Sequence, residues 1–270
     1  MFTYLVLWVQ VLSEMLPISS STQVSLLERL YEACGYVVAV VPKGFDYLLH
    51  VPLLIVLPLF FRRSWLPSCS LLVKRLWCGS RVYSWSTRQL IRIMSTVAAA
   101  VVVSCLLTVL VDYALAGVAL AAWLRPIGLV VTAVMLIVGG RVVLCRSEPA
   151  QLLPLLFVGI TQALAMFPGI SRMGITISTA LICGLSVRRA FEFSFALELP
   201  LVTAAVLFRG LPWLMSEQAT AWCSGALFVH LLCAGMVSYG LLWCAMKLFE
   251  QGRAWIFSCY VLLCAVLLWL

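Results

Sequence analysis

The sequence predicts an all-α polytopic membrane protein, and three observations carry that expectation. The chain of 270 residues is 64% hydrophobic and only 10% charged, whereas soluble domains run at about 45–50% apolar and about 25% charged. Its apolar residues fall in runs at 2–18, 45–61, 93–115, 118–145, 151–167, 175–185, 191–208, 222–247 and 254–270. A membrane-crossing helix needs about 20 mostly apolar residues, so the chain has room for roughly six to eight. The basic residues are also clustered rather than spread. Arg62, Arg63, Lys74, Arg75, Arg81, Arg88 and Arg92 share one stretch with no Asp or Glu. Such sparse charge excludes a water-soluble globular enzyme and an ordinary nucleic-acid binder, because it cannot solvate the surface of a domain.

The first run is not a simple span. Glu14, Pro17 and the hydroxyls Ser19, Ser20, Ser21 and Thr22 interrupt it. The run at 151–167 ends in Phe167-Pro168-Gly169-Ile170-Ser171-Arg172, a polar, broken segment between apolar flanks. Non-helical backbone at membrane depth persists only where protein or a wet cavity surrounds it. Both breaks are therefore read as tips of re-entrant helical hairpins. The first residues lack a basic n-region and a small-residue cleavage site, so they are not read as a removed signal peptide. The 11 cysteines are scattered through apolar segments without a C-x-x-C pair, which predicts neither structural disulfides nor a zinc site.

Orientation follows from the basic stretch. The positive-inside rule makes 62–92 a cytoplasmic loop rather than a nucleic-acid patch. The run at 45–61 then enters from outside, and 93–115 with 118–145 returns the chain to the inside, where Arg141 and Arg146 stand. A re-entrant second break keeps Arg188 and Arg189 inside, and the last three spans place Lys247 and Arg253 there too. The expected architecture is six transmembrane helices plus two re-entrant hairpins, with both termini outside. All of it forms a single integral membrane domain spanning residues 1–270.

The two breaks also resemble each other. The segment from Gln10 to Ser19 can be laid against that from Gln162 to Ser171. Downstream, Phe45-Asp46-Tyr47 with His50-Val51-Pro52-Leu53 matches Phe191-Glu192-Phe193 with Glu198-Leu199-Pro200-Leu201. Three spans separate the copies, and an odd number inverts the second. An inverted-topology repeat is expected, one copy at about 1–115 and the other at about 118–270. In such folds the working site lies where the broken segments meet.

Gln10 and Glu14 are four residues apart and share one helical face. An ionisable group at that depth is expensive and marks a functional site by default. The hydroxyls of Ser19 and Ser20 offer nucleophiles, although the same cluster also suits a helix N-cap. In the second break, Gly169 and Gly174 let backbone N–H groups approach a ligand, and a helix starts there whose N-terminus favours anions. Arg172 adds a planar cation suited to bidentate phosphate contact, and Ser171 and Thr176 add hydroxyl donors. The alternative role for Arg172 is structural, an ion pair with Glu14 or Glu192 tying the hairpins together. A Glu14–Gln10 pair of oxygen donors suits a divalent cation, Mg²⁺ or Ca²⁺. An acid, hydroxyls and an arginine in one membrane cavity point to phosphate-ester chemistry on a substrate with a lipid tail.

These motifs resemble those of the undecaprenyl-diphosphate phosphatase (bacitracin-resistance) family. Gln10-x-x-x-Glu14 matches its (E/Q)xxxE signature, and Leu16-Pro17-Ile18-Ser19-Ser20-Ser21 its LP-x-S-S segment. Pro168-Gly169-Ile170-Ser171-Arg172 through Thr176 matches PGxSRSxxT, and Glu192-Phe193-Ser194-Phe195 followed by Pro200 matches EFSF…P. The resemblance implies hydrolysis of undecaprenyl diphosphate to the monophosphate carrier lipid of cell-wall synthesis. It also implies a bacterial inner-membrane enzyme whose active site faces the extracytoplasmic side, and a homodimer. Two positions depart from the family pattern. Gln23 stands where the family carries a His, and Met173 replaces the second serine of SRS. Glutamine hydrogen-bonds but cannot shuttle a proton. His50, at a position where the family carries Gln, is the expected replacement ring, with Gln23 left to bind substrate. The rival function is a transporter or flippase that moves a polyprenyl phosphate carrier lipid with the same repeat and anion pocket.

Overall fold

The computed structural model describes residues 2–38, 43–67, 124–142, 152–216 and 224–269, with isolated positions at 70, 99, 101–103, 106–107, 110 and 219. Most of the span expected at 93–115, the start of that at 118–145, nearly all of the basic loop beyond residue 67 and the boundary between the expected repeats lie outside the described residues. Every described regular element is helical.

Helix α1 (Phe2–Ser13) and helix α2 (Ser20–Ala33) flank the first break. The short α3 (Lys43–Leu48) and α4 (Val51–Phe60) follow, jointed at Leu49-His50 ahead of Pro52. Helix α5 (Leu124–Val142) precedes the second helix pair, α6 (Leu152–Leu164) and α7 (Arg172–Ile182). Helix α8 (Val187–Ala205) runs through a π-helical turn (Val206–Gly210) into α9 (Leu211–Leu214). Helices α10 (Gly225–Glu250) and α11 (Trp255–Trp269) complete the chain. Among the described residues, three continuous helices are long and apolar enough to cross a membrane: Leu124–Val142, Val187–Leu214 and Gly225–Glu250. Their outward faces carry exposed Ile127, Val130, Val134, Phe228, Leu232 and Met236. Apolar side chains in that number suit a lipid solvent and not water, and the chain is a helical membrane protein.

The two breaks are built alike. In each, the entering helix tightens into an i→i+3 turn, Met15 N donating to Leu12 O in the first and Phe167 N to Leu164 O in the second. A proline then removes a donor, Pro17 after a second such bond from Leu16 N to Ser13 O and Pro168 directly after Phe167. Each departing helix starts at a serine in extended conformation, Ser19 (φ −69°, ψ 108°) and Ser171 (φ −78°, ψ 118°). These are the serines that the sequence alignment superposes.

Helix α5 braces the second break through small residues. A Cβ on Gly128 would meet Pro168 O at 2.2 Å, and one on Gly169 would meet Arg125 O at 2.0 Å. Gly169 also holds φ +86°, a left-handed conformation that other residues adopt at a cost. Further along, Gly139 lies against Ser178 in the same seam. Close small-residue crossings suit helix packing in lipid, where no hydrophobic drive separates protein from solvent. The largest buried cluster gathers Met15, Leu53, Leu129, Ile177, Phe191, Phe195 and Phe249 from both halves of the chain. A smaller one joins Leu7 and Val11 to Phe45, Leu49 and Leu227.

Gly169→Ala combines a disfavoured φ with a backbone clash and is expected to destabilise the protein by about 3 kcal/mol or more. Gly240→Ala, in α10 with open space around it, is expected to be neutral or slightly stabilising. Thermal unfolding of the two variants in the same detergent checks the contrast.

Candidate functional site

The end of α1 sets the acid. Gln10 and Glu14 lie one turn apart, and Gln10 Nε2 donates to Glu14 Oε1 at 2.8 Å. The same carboxylate oxygen is 3.3 Å from His50 Nδ1. That contact lacks hydrogen-bond geometry, and Nδ1 is buried with no hydrogen-bond partner among the described residues. His50 reaches this place from the α3–α4 joint, where Pro52 follows it. Glu14 and His50 are mostly buried, with side chains 10% and 21% exposed.

The second break sets the cation. Arg172 opens α7, and its Nη1 donates to Glu198 Oε1 at 2.9 Å. The Arg172 side chain is 42% exposed against 9% for Glu198, so the cation stays partly open while the carboxylate is enclosed. Arg172 acts electrostatically on both Glu14 and His50, and Glu198 acts on Glu14. Two acids, an imidazole and a guanidinium thus share one cluster between the breaks. The contact that joins the breaks is Gly174, where an added Cβ would stand 3.2 Å from Pro17 O and 3.0 Å from Thr132 Cγ2.

Thr132 of α5 organises the backbone around Arg172. Its hydroxyl donates to Gly128 O at 3.0 Å and accepts from Ser171 N at 3.0 Å. Ser171 in turn caps α7, its Oγ accepting from Gly174 N at 3.1 Å. Hence Ser171 and Gly174, expected to meet substrate, hold each other, and Gly169 is closed off by Arg125. Thr176 turns inward as well. Its hydroxyl donates to Arg172 O at 2.8 Å and hydrogen-bonds Ser194 Oγ, steadying the arginine's backbone from within. On the first break, Ser19 is buried and accepts from Thr22 Oγ1 at 3.0 Å. Ser20 is the more accessible of the two candidate nucleophiles.

Two residues singled out in the sequence meet other partners in the structure. Arg172 pairs with neither Glu14 nor Glu192 but with Glu198, because α8 brings residue 198 to the break while Glu192 lies nearly two turns earlier. There Glu192 accepts from Arg188 Nε at 3.1 Å and from Ser64 Oγ at 3.0 Å. Gln23 makes its side-chain contacts with α11. It accepts from Tyr260 OH at 2.6 Å, with its amide nitrogen 3.6 Å from Cys264 Sγ, so it joins α2 to α11. Sequence reasoning also missed Glu198. Its only signal was the repeat alignment, which sets Glu198 opposite His50. In the structure each residue stands two positions before a proline, His50 ahead of Pro52 in the first turn of α4 and Glu198 ahead of Pro200 within the unbroken α8.

Comparison with known proteins decides the family. The Bacitracin resistance protein BacA family matches residues 5–267, nearly the whole chain. The chain belongs to the BacA family. It is 28% identical over 270 residues to the undecaprenyl-diphosphatase of Treponema denticola, covering 94% of this chain and 90% of that protein. It is 33% identical over 207 residues to that of Geobacter metallireducens, covering 74% and 72%. A shorter match to the undecaprenyl-diphosphatase of Chromohalobacter salexigens, 38% over 94 residues, spans 33% of that protein. Against the BacA motif, Met173 is buried in the main core. Position 173 faces apolar neighbours, and a thioether there is accommodated by packing.

Ser171→Ala removes the α7 cap and is expected to cost about 1 kcal/mol. Thr132→Val orphans the buried Ser171 N–H and is expected to cost about 1–3 kcal/mol. Their double variant should lose less than the sum, since both act on one network. Denaturant or thermal unfolding of the three variants checks this.

Proposed function

We propose that this BacA-family chain is a membrane-embedded phosphatase that hydrolyses undecaprenyl diphosphate to undecaprenyl phosphate and inorganic phosphate, recycling the carrier lipid for cell-wall synthesis. The observation that carries the reading is the opposed cluster of Glu14, His50, Arg172 and Glu198 between two broken helices, in a chain of this family. Arg172 offers its open N–H groups to the diphosphate. As the phosphate dianion arrives, it competes with Glu198 for the same guanidinium, so Glu198 is a positioning residue for Arg172. A water attacks the terminal phosphorus, or Ser20 or Ser19 attacks it and a water then hydrolyses the phosphoserine to release inorganic phosphate. The bond from that phosphorus to the bridging oxygen breaks, leaving the lipid monophosphate. His50, whose Nδ1 lacks a hydrogen-bond partner among the described residues, accepts the proton of the attacking hydroxyl in place of the ring absent at Gln23.

Oxygen donors at Glu14 and Gln10 suit a divalent cation, Mg²⁺ or Ca²⁺. Gln10 uses its nitrogen toward Glu14 and so keeps its carbonyl oxygen for a metal. Such an ion supplies positive charge to the transferring phosphoryl group. The location proposed is the bacterial inner membrane, with six spans, two re-entrant hairpins and inverted repeats in one integral domain. The paired construction of the breaks supports the duplication. The active site then faces the extracytoplasmic side, and the assembly is a homodimer.

Purified protein with a polyprenyl diphosphate is expected to release phosphate, to lose activity in EDTA and to regain it with Mg²⁺ or Ca²⁺. Arg172→Ala should lower turnover about 100- to 1000-fold, and Glu14→Ala should abolish it without unfolding the protein. His50→Ala should cost about 100-fold or more, whereas Gln23→Ala should act mainly on stability through Tyr260. Near-normal turnover in His50→Ala removes the proton-acceptor role. Lipid binding or translocation without phosphate release replaces the enzyme by a transporter.

A further inference from the structure

A second polar cavity lies at the opposite end of α4 from His50. It has a volume of about 400 Å³ and is lined in part by Arg62, Arg63, Arg188, Lys247, Tyr239 and Trp243. His50 and Arg62 are twelve positions apart along mostly helical chain, on the order of 18 Å at 1.5 Å per residue, and fully buried Leu53 and Leu57 lie along α4 between them. The cavity is therefore not an extension of the Glu14 cluster.

Its charges are unbalanced. Arg188 bonds Glu192 through Nε only, and Lys247 pairs with Glu250 at 2.6 Å. Arg62 and Arg63 have no carboxylate partner among the described residues. Four cations thus meet two carboxylates. Directly along α10 from Lys247 come Trp243 and Tyr239, spaced by four residues on one helical face and 52% and 44% exposed. Phe60 of α4 packs its ring on Tyr239 at 5.1 Å between centroids, and exposed Leu59 continues the apolar wall. The order is cationic head, aromatic belt, then hydrocarbon.

We propose that this cavity binds an anionic phospholipid, its phosphate held by Arg62, Arg63 and Lys247 and one acyl chain lying along Trp243, Tyr239 and Phe60. The two guanidinia, without a carboxylate partner among the described residues, match a phosphodiester by bidentate contact. Tryptophan and tyrosine sit at the depth where headgroup gives way to chain. A basic recess between transmembrane helices is a physical match to an anionic headgroup. A free anion would make no use of the aromatic wall. The inference stands apart from the phosphatase reading and does not depend on it.

The test uses the full chain in phosphatidylcholine nanodiscs containing a small fraction of either acyl-brominated phosphatidylglycerol or acyl-brominated phosphatidylcholine. Bromine quenches tryptophan on contact. The brominated anionic lipid should quench more than the zwitterionic one at equal content, and Trp243→Phe should remove most of that excess. Arg62→Gln with Arg63→Gln should weaken the apparent affinity by about fivefold for each arginine removed. Arg141→Gln, which removes one charge in the last turn of α5 and is compared per charge removed, should leave it unchanged. The proposal is overturned by equal quenching from both lipids, or by an excess that survives Trp243→Phe. It also falls if Arg141→Gln causes an equal loss, which marks diffuse attraction, or if inorganic phosphate displaces the excess, which marks a free-anion site. Should the double arginine variant not fold, the exposed Trp243→Phe substitution in the unaltered basic site still decides between these outcomes.

Discussion

Broken backbone inside an apolar solvent has to find its hydrogen bonds within the protein, and the rest of this structure is arranged around that requirement. Pro17 and Pro168 interrupt two helices where no water is available in bulk to replace the lost bonds. At the second break the requirement is met mainly by two hydroxyls. Thr132 takes the N–H of Ser171, while Ser171 takes that of Gly174. This exchange works only if α5 approaches to backbone contact, which is why Gly128 and Gly169 face each other with no room for a methyl group. Once the two backbones are locked, Arg172 leaves the break in a fixed direction. Its place near Glu14 is a consequence of helix packing as much as of local sequence.

The same solvent explains how the charges are paired. A carboxylate or guanidinium alone in a low-dielectric interior costs several kcal/mol even after relaxation. The described cluster holds no ionisable group by itself. Glu14 accepts from Gln10 and faces His50, while Glu198 accepts from Arg172. These contacts are asymmetric in exposure. The carboxylates are enclosed, and the guanidinium is the member left partly open. An incoming anion therefore meets a cation first. Opening toward an anion while shielding the acids is the electrostatic property that phosphoryl chemistry asks of a site.

Much of this was legible in the sequence because its signals are compositional or local. Long apolar runs, a polar break after Leu16 and another after Phe167, and a carboxylate four residues from an amide each follow from short-range patterns. The spacing of Gln10 and Glu14 did yield a hydrogen bond. What remained hidden depended on contacts between distant segments. Nothing near Ser171 in sequence says that its hydroxyl is taken by Gly174 while its N–H goes to a threonine 39 residues earlier. Nothing near Gln23 announces Tyr260, 237 residues away. Glycines in a phosphate-like motif were read as room for a ligand, and for Gly169 the room is filled by α5. Pattern alone cannot separate these two uses of a missing side chain, since both exploit close backbone approach.

Glu198 shows how a duplication can be informative where its copies differ. In the alignment of the two halves, His50 stands opposite Glu198, Glu14 opposite Met166 and Arg172 opposite Ser20. Unchanged copies would have brought identical groups together at the meeting point of the two breaks, acid against acid or base against base. Like charges at that separation in a poorly solvated interior repel strongly. Here the first half supplies an acid at its break and an imidazole from the neighbouring helix joint. The second half supplies a cation at its break and an acid from the corresponding place on α8. Under the proposed duplication, divergence converts a repeated frame into an electrostatically complementary one. A residue aligned with a known site residue, preceding a proline at the same interval, is on that ground a candidate for the same cluster even when its charge is opposite.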